Sequence, residues 1–107
     1  MRITVPTARV LAVLLAEPDA HRYGLDLMQA TGLASGTLYP ILHRLQEAGW
    51  VSAAWEEVDP SAQGRPARRY YRLTAEGAEQ ARQALAELHA QTAWGTRAPG
   101  RLGVNPA

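Results

Sequence analysis

Leu38, Ile41, Leu42 and Leu45 stand at i, i+3, i+4 and i+7, the spacing of one continuous helix face. This is the strongest periodic signal in the chain, and it follows closely on another. Tyr23, Leu27 and Met28 stripe a segment from Arg22 to Thr31 that Gly32 closes, because glycine readily takes the left-handed conformation that ends helices. Ser35 is the expected N-cap of the second helix and Gly49 its C-cap. Two short helices joined by Gly32, Leu33 and Ala34, the second more amphipathic, form the pattern of a helix-turn-helix.

The flanking segments complete an architecture. Residues 5–16 carry Val10, Leu11, Leu14 and Leu15 on one face, with Pro6 in the first turn and Pro18 at the end. After Gly49 the periodicity changes. Trp50 to Glu56 alternates in part, and Arg69 to Thr74 is rich in strand-favouring residues. Asp59 to Pro66 between them is dense in turn formers and predicts a long, mobile hairpin tip. Two helices followed by such a hairpin give an α+β, mainly α fold, a winged helix-turn-helix, over residues 1–74. Thr74 is placed to cap a last helix from about Ala75 to Ala93. Its Ala78, Ala81, Leu85, Leu88 and Thr92 repeat in threes and fours, a heptad seam too short to stand alone. That seam packs on its own domain or on another copy, and residues 75–94 are expected to serve dimerisation. Residues 95–107, rich in Gly, Pro and Arg, are expected to be a disordered tail.

Composition narrows the function. A chain of 107 residues is one domain, and one this small buries only a little over ~60% of its unfolded surface, so a partner subunit helps. With no Cys, disulfides and thiolate metal sites are excluded. Val10 to Ala16, the longest apolar run, is too short to span a bilayer, and Met1 to Pro6 has no signal-peptide character, so a cytoplasmic location is expected. No nucleophile–base pair, phosphate-binding glycine loop or paired carboxylates appear, so neither an enzyme nor a cofactor is expected. His21, His43 and His89 sit on separate elements without metal-ligand spacing. A net charge of +1 names no partner, but Arg65, Arg68, Arg69 and Arg72 fall within eight positions.

These features point to double-stranded DNA. On the helix opening at Ser35 the apolar stripe leaves Ser35, Thr37, Tyr39, His43 and Arg44 on other faces. The first three lie at the N-terminal end, which a helix-turn-helix inserts into the major groove. Hydroxyls there reach phosphates or base edges, and Arg44 can pair with a phosphate. Pro40 lacks an N–H and presses on the Gly36 carbonyl, which predicts an opened first turn that re-aims Thr37 and Tyr39. In the hairpin, Arg65, Arg68 and Arg69 can grip phosphates or the minor groove. The competing arrangement pairs these arginines, Arg72 in particular, with Glu56, Glu57 and Asp59 across the hairpin.

Tyr23-Gly24-Leu25-Asp26-Leu27, the run Ser35 to Gly49 with its Gly-Thr-Leu-Tyr-Pro block, and Arg69 to Gly77 together resemble the PadR family of transcriptional regulators. The resemblance covers about residues 8 to 92. It implies a winged-helix homodimer, held partly by the C-terminal helix, that represses promoters bearing inverted-repeat operators. It maps Ser35, Thr37, Tyr39 and Pro40 to the DNA-reading helix and Gly64, Arg65, Arg68 and Arg69 to the wing. Tyr71 and Leu73 become strand residues packed on the core. From the seam itself, Ala78, Ala81, Leu85 and Leu88 are the expected dimerisation residues. The single terminal helix fits the small subfamily. The family often has His-Gly-Tyr where this chain has His21-Arg22-Tyr23-Gly24, so the entry to the second helix is expected to differ. Some relatives bind flat drugs between tryptophans of the terminal helices, which makes Trp94 the candidate ligand residue of a multidrug-type regulator. A protein–protein adaptor that keeps the shell without gripping DNA is the other alternative, favoured by low net charge and the acidic residues beside the wing.

Overall fold

The computed structural model describes the backbone of residues 1–100 and the side chains of residues 1–91. Helix α1 spans Val5–Ala16, with Thr4 as N-cap accepting a hydrogen bond from the Thr7 amide at 3.3 Å. Pro6 sits in its first turn, where its missing N–H costs nothing. Strand β1 (Arg22–Tyr23) leads directly into α2 (Gly24–Thr31), and α3 follows at Ser35–Glu47. Then come β2 (Val51–Trp55), a one-turn α4 (Pro60–Gln63), β3 (Arg69–Leu73) and α5 (Ala75–Gly100). The molecule is mainly helical, with one antiparallel sheet of order β1-β3-β2. It is a winged helix.

The core forms where the periodicity requires. Leu38, Ile41, Leu42 and Leu45 of α3 are all buried against Val10, Leu11 and Leu14 of α1 and Leu27 of α2. Val51, Tyr71 and Leu73 close the core from the sheet, so Tyr71 and Leu73 are the packed strand residues that the resemblance implied. Burial of this kind is worth ~1.5–3 kcal/mol for each large apolar side chain.

Four details differ from the sequence expectation. Arg22 and Tyr23, read as the opening of a helix, form β1 and pair with Tyr71 and Tyr70. The sheet therefore has three strands rather than a hairpin's two. Ala34, not Ser35, is the N-cap of α3, with Ser35 its first helical residue, and Ala48 is its C-cap, with Gly49 the left-handed residue after it at φ 80°. The hairpin tip, expected to be a long turn, contains α4. There Asp59 Oδ1 accepts the Ser61 amide at 3.0 Å, and Gly64 ends the turn at φ 70°. Only glycine takes that left-handed value without strain, which makes Gly64 a backbone former in the wing. Finally, α5 continues past the expected end near Ala93 to Gly100. A lone Gly95 weakens a helix by about 1 kcal/mol but does not by itself stop one. Residues 101–107 of the expected tail lie outside the described residues.

The heptad seam is also spent differently. Ala81 is fully buried in the chain's own core, with Ala78 and Leu85 packed partly against it. The seam reading assigns these three, with Leu88, to dimerisation, but a three-four repeat does not say whose surface it meets. Leu88, further along, lines a surface hollow with Met1, Ile3, Ala84, Glu87 and Gln91. The start of α5 is clamped to the sheet. The Thr74 hydroxyl donates to the Gly49 carbonyl at 2.7 Å and accepts from the Gly77 amide at 2.9 Å, while the Thr74 amide bonds the Trp50 carbonyl. No helix among the described residues is long and apolar enough to cross a membrane.

Candidate nucleic-acid interface

Helix α3 turns its apolar stripe inward, so its remaining residues face out. Ser35, Thr37, Tyr39, Pro40, His43 and Arg44 are all exposed. The Ala34 carbonyl accepts from both Thr37 N at 3.0 Å and Leu38 N at 2.9 Å. The first turn is thus closed, not opened as Pro40 suggests. The carbonyl that Pro40 leaves without a helical donor is that of Gly36, an exposed residue that water can satisfy. Arg44 has no ion pair among the described residues. His43 pairs only with Glu47, at 3.4 Å, both side chains about 70% exposed, a contact worth little in water.

Tyr39 is held by a neighbouring helix. Its hydroxyl abuts Gly24 so closely that a Cβ on Gly24 would collide with it. The Tyr-Gly at the entrance to α2 and the Tyr-Pro of α3 are therefore two halves of one contact. Replacing Gly24 by alanine is expected to displace the tip of Tyr39 rather than the backbone, at a cost of under ~1 kcal/mol. Sequence-selective DNA binding should fall as it does in Tyr39→Ala. The double variant Gly24→Ala/Tyr39→Ala should bind no worse than Tyr39→Ala alone, and additive losses would break the link.

The wing supplies the opposite wall. Tyr39, Arg68, Arg69 and Tyr71 line a cleft of about 500 Å³ with Tyr23, Gly24, Leu25 and Asp26. The Arg68 guanidinium lies 5.5 Å from the centre of the Tyr23 ring, and that of Arg69 5.5 Å from the Trp55 ring. Neither forms an ion pair with a carboxylate among the described residues. Cation–π contacts at exposed sites are worth about 0.5–1 kcal/mol.

Arg65 behaves differently. Its Nη1 lies 2.8 Å from Glu56 Oε1 and its Nη2 3.4 Å from Oε2. The cross-hairpin pairing that competed with DNA contact thus holds for Arg65 and not for Arg68 or Arg69. Arg72 has no ion pair among the described residues either. Glu56 also accepts the Arg68 amide at 2.9 Å and the Tyr23 hydroxyl at 2.9 Å. The Arg65 guanidinium first, then the Arg68 N–H and the Tyr23 hydroxyl, bring its carboxyl down to about 2. The same bond to Glu56 raises the Tyr23 phenol. Glu56 is ionised throughout the physiological range, and its charge is met inside the protein.

Sequence reasoning did not single out Tyr23, Leu25, Trp55 or Glu56 as interface residues. Leu25 and Trp55 are 63% and 59% exposed despite their size. Leu25 stands off the stripe of α2, and that displacement was readable. The Trp55–Arg69 pairing needs the strand register, which residue spacing alone did not fix. The three histidines stay apart: His21 stacks on Tyr70 at 4.0 Å, His43 meets Glu47, and His89 is exposed on α5. The side chain of Trp94 lies outside the described residues.

Comparison with known proteins agrees with this geometry. The family model described as transcriptional regulator PadR-like family matches residues 10–83. A PadR-like transcription factor from Bacteroides fragilis superposes with TM-score 0.65 at 25% identity, covering 80% of this chain and 82% of that one. A Streptococcus mutans structure does so with TM-score 0.65 at 30% identity, covering 86% and 87%. A PadR family transcriptional regulator from Eggerthella lenta gives TM-score 0.62 at 27% identity, covering 78% and 73%. A search among proteins of curated function returned no match. With the family model spanning residues 10–83, from the first helix through the wing into the last helix, the chain belongs to the PadR-like family of transcriptional regulators.

Proposed function

We propose that the protein is a sequence-specific binder of double-stranded DNA that acts in the cytoplasm as a homodimeric repressor on an inverted-repeat operator. One observation carries this reading: the outward edge of α3, through Tyr39, and the wing cations Arg68 and Arg69, which have no ion pair among the described residues, border the same cleft. A helix edge of hydroxyls suits base edges and phosphates, and guanidiniums beside it suit the flanking backbone. Of the three acidic residues that favoured a protein–protein adaptor, Glu56 is enclosed by its donors and Asp59 caps α4, which leaves Glu57 as the exposed one. For the homodimer, the outer part of α5 around Ala84, Leu88 and Gln91, next to Met1 and Ile3, is the surface we assign to the second copy.

Fluorescence anisotropy tests the reading, using a duplex selected by the protein from random-sequence DNA and an unselected duplex, each over a salt series. The selected duplex is expected to bind at least a hundredfold tighter. Tyr39→Ala should cost about tenfold on the selected duplex and little on the unselected one. Equal affinity of the wild-type protein for both duplexes would rule out sequence-specific regulation.

A further inference from the structure

Glu56 directly follows β2, and both its oxygens are engaged. Oε1 receives Arg65 Nη1 at 2.8 Å and the Arg68 amide at 2.9 Å; Oε2 receives the Tyr23 hydroxyl at 2.9 Å and Arg65 Nη2 at 3.4 Å. The carboxylate side chain is only 11% exposed. Its three partners come from different places: Tyr23 from the entrance to α2, Arg65 from the turn after α4, and Arg68 from the approach to β3. The Glu56 amide also bonds the Arg68 carbonyl at 2.8 Å. Arg68 is therefore fixed at both its backbone N–H and its C=O by the same residue. Its guanidinium lies over Tyr23, the residue whose hydroxyl Glu56 accepts. Tyr23 belongs to β1, which pairs with β3, so the backbone already joins the entrance of α2 to the wing. Among the described residues, the Tyr23–Glu56 bond is the side-chain hydrogen bond that adds to that pairing from the β2 side.

We infer that Glu56 is a positioning residue for DNA recognition: it locks the wing at one angle to α3, so that Arg68, Arg69 and Tyr39 meet the duplex together. This deepens the DNA-binding reading and rests on it. Simple electrostatics predicts the reverse. Removing a negative charge beside a phosphate-gripping wing should tighten binding if charge alone mattered. A lock predicts weaker binding to a cognate site, because a displaced guanidinium no longer meets its phosphate while base contacts are made. Random DNA imposes no fixed registration, so it should respond to charge alone.

The test compares wild type, Glu56→Gln and Tyr23→Phe on the selected and unselected duplexes at matched salt, with thermal melts of each protein. Glu56→Gln should bind the selected duplex about tenfold more weakly and the unselected one no more weakly than wild type. Tyr23→Phe leaves the net charge and the Arg65–Glu56 pair in place, and it should show the same selective loss. Glu56→Gln binding the selected duplex as tightly as wild type overturns the lock. So does a parallel weakening on both duplexes that follows the melting temperature, which is damage to the fold alone. The wild-type arm keeps this separate from the parent reading: no preference for the selected duplex sinks sequence-specific binding itself, whereas a clear wild-type preference with an unaffected Glu56→Gln sinks only the lock.

Discussion

Replacing Gly77 by alanine is expected to destabilise the protein by about 3 kcal/mol, lowering the melting temperature by roughly 15 °C. Helix propensity alone predicts the reverse sign, because alanine exceeds glycine by about 1 kcal/mol inside a helix. The structure decides between them. A Cβ on Gly77 would collide with the backbone of Trp50, carbonyl oxygen included. That carbonyl also accepts the Thr74 amide, and the Thr74 hydroxyl is bonded to Gly49 beside it. No side chain can rotate away, so either α5 or the start of β2 has to shift. At Gly24 the obstacle is the flexible tip of Tyr39, and the same substitution there is cheap. A calorimetric scan of both variants checks the contrast. A Gly77→Ala protein melting at or above the wild-type temperature would show that α5 does not depend on this close approach.

The second large effect belongs to the wing. Arg68→Ala/Arg69→Ala should weaken binding to selected and unselected DNA alike, leaving their ratio within about twofold, because phosphate contacts carry little sequence information. The plot of log affinity against log salt should flatten by roughly 0.9 for each phosphate no longer neutralised, about 1.8 for each protomer. The fold should hardly notice, since both guanidiniums rest on ring faces at 5.5 Å rather than in buried pairs. Arg65→Ala should behave otherwise, perturbing the wing through Glu56 without a matching change in slope. A double variant with the wild-type salt dependence would remove Arg68 and Arg69 from the interface.

How much of this was legible beforehand depends on the range of the interaction. The α3 stripe, the Pro6 start of α1 and the Thr74 cap of α5 are local patterns, and each stands where its spacing placed it. Strand β1 has two residues and no period to read; it exists because Tyr70 and Tyr71 pair with it from nearly fifty positions away. The wing arginines show the same division. Their clustering was visible, but which one turns toward Glu56 depends on how α4 and Gly64 reverse the chain. The repeat through Ala78, Ala81 and Leu85 was real, yet periodicity marks a face to be covered and does not identify its cover.

The middle place of β3 in the sheet has one more consequence. Arg69, Tyr71 and Leu73 share a face, with Tyr71 and Leu73 inside the core and Arg69 at the outer end where the core stops. The loop between Glu57 and Ala67 can therefore change length so long as β3 keeps its register against β2. A slip of one residue would send Tyr71 and Leu73 into water and turn Arg69 to the opposite face of the sheet, so fold and cation stand or fall together.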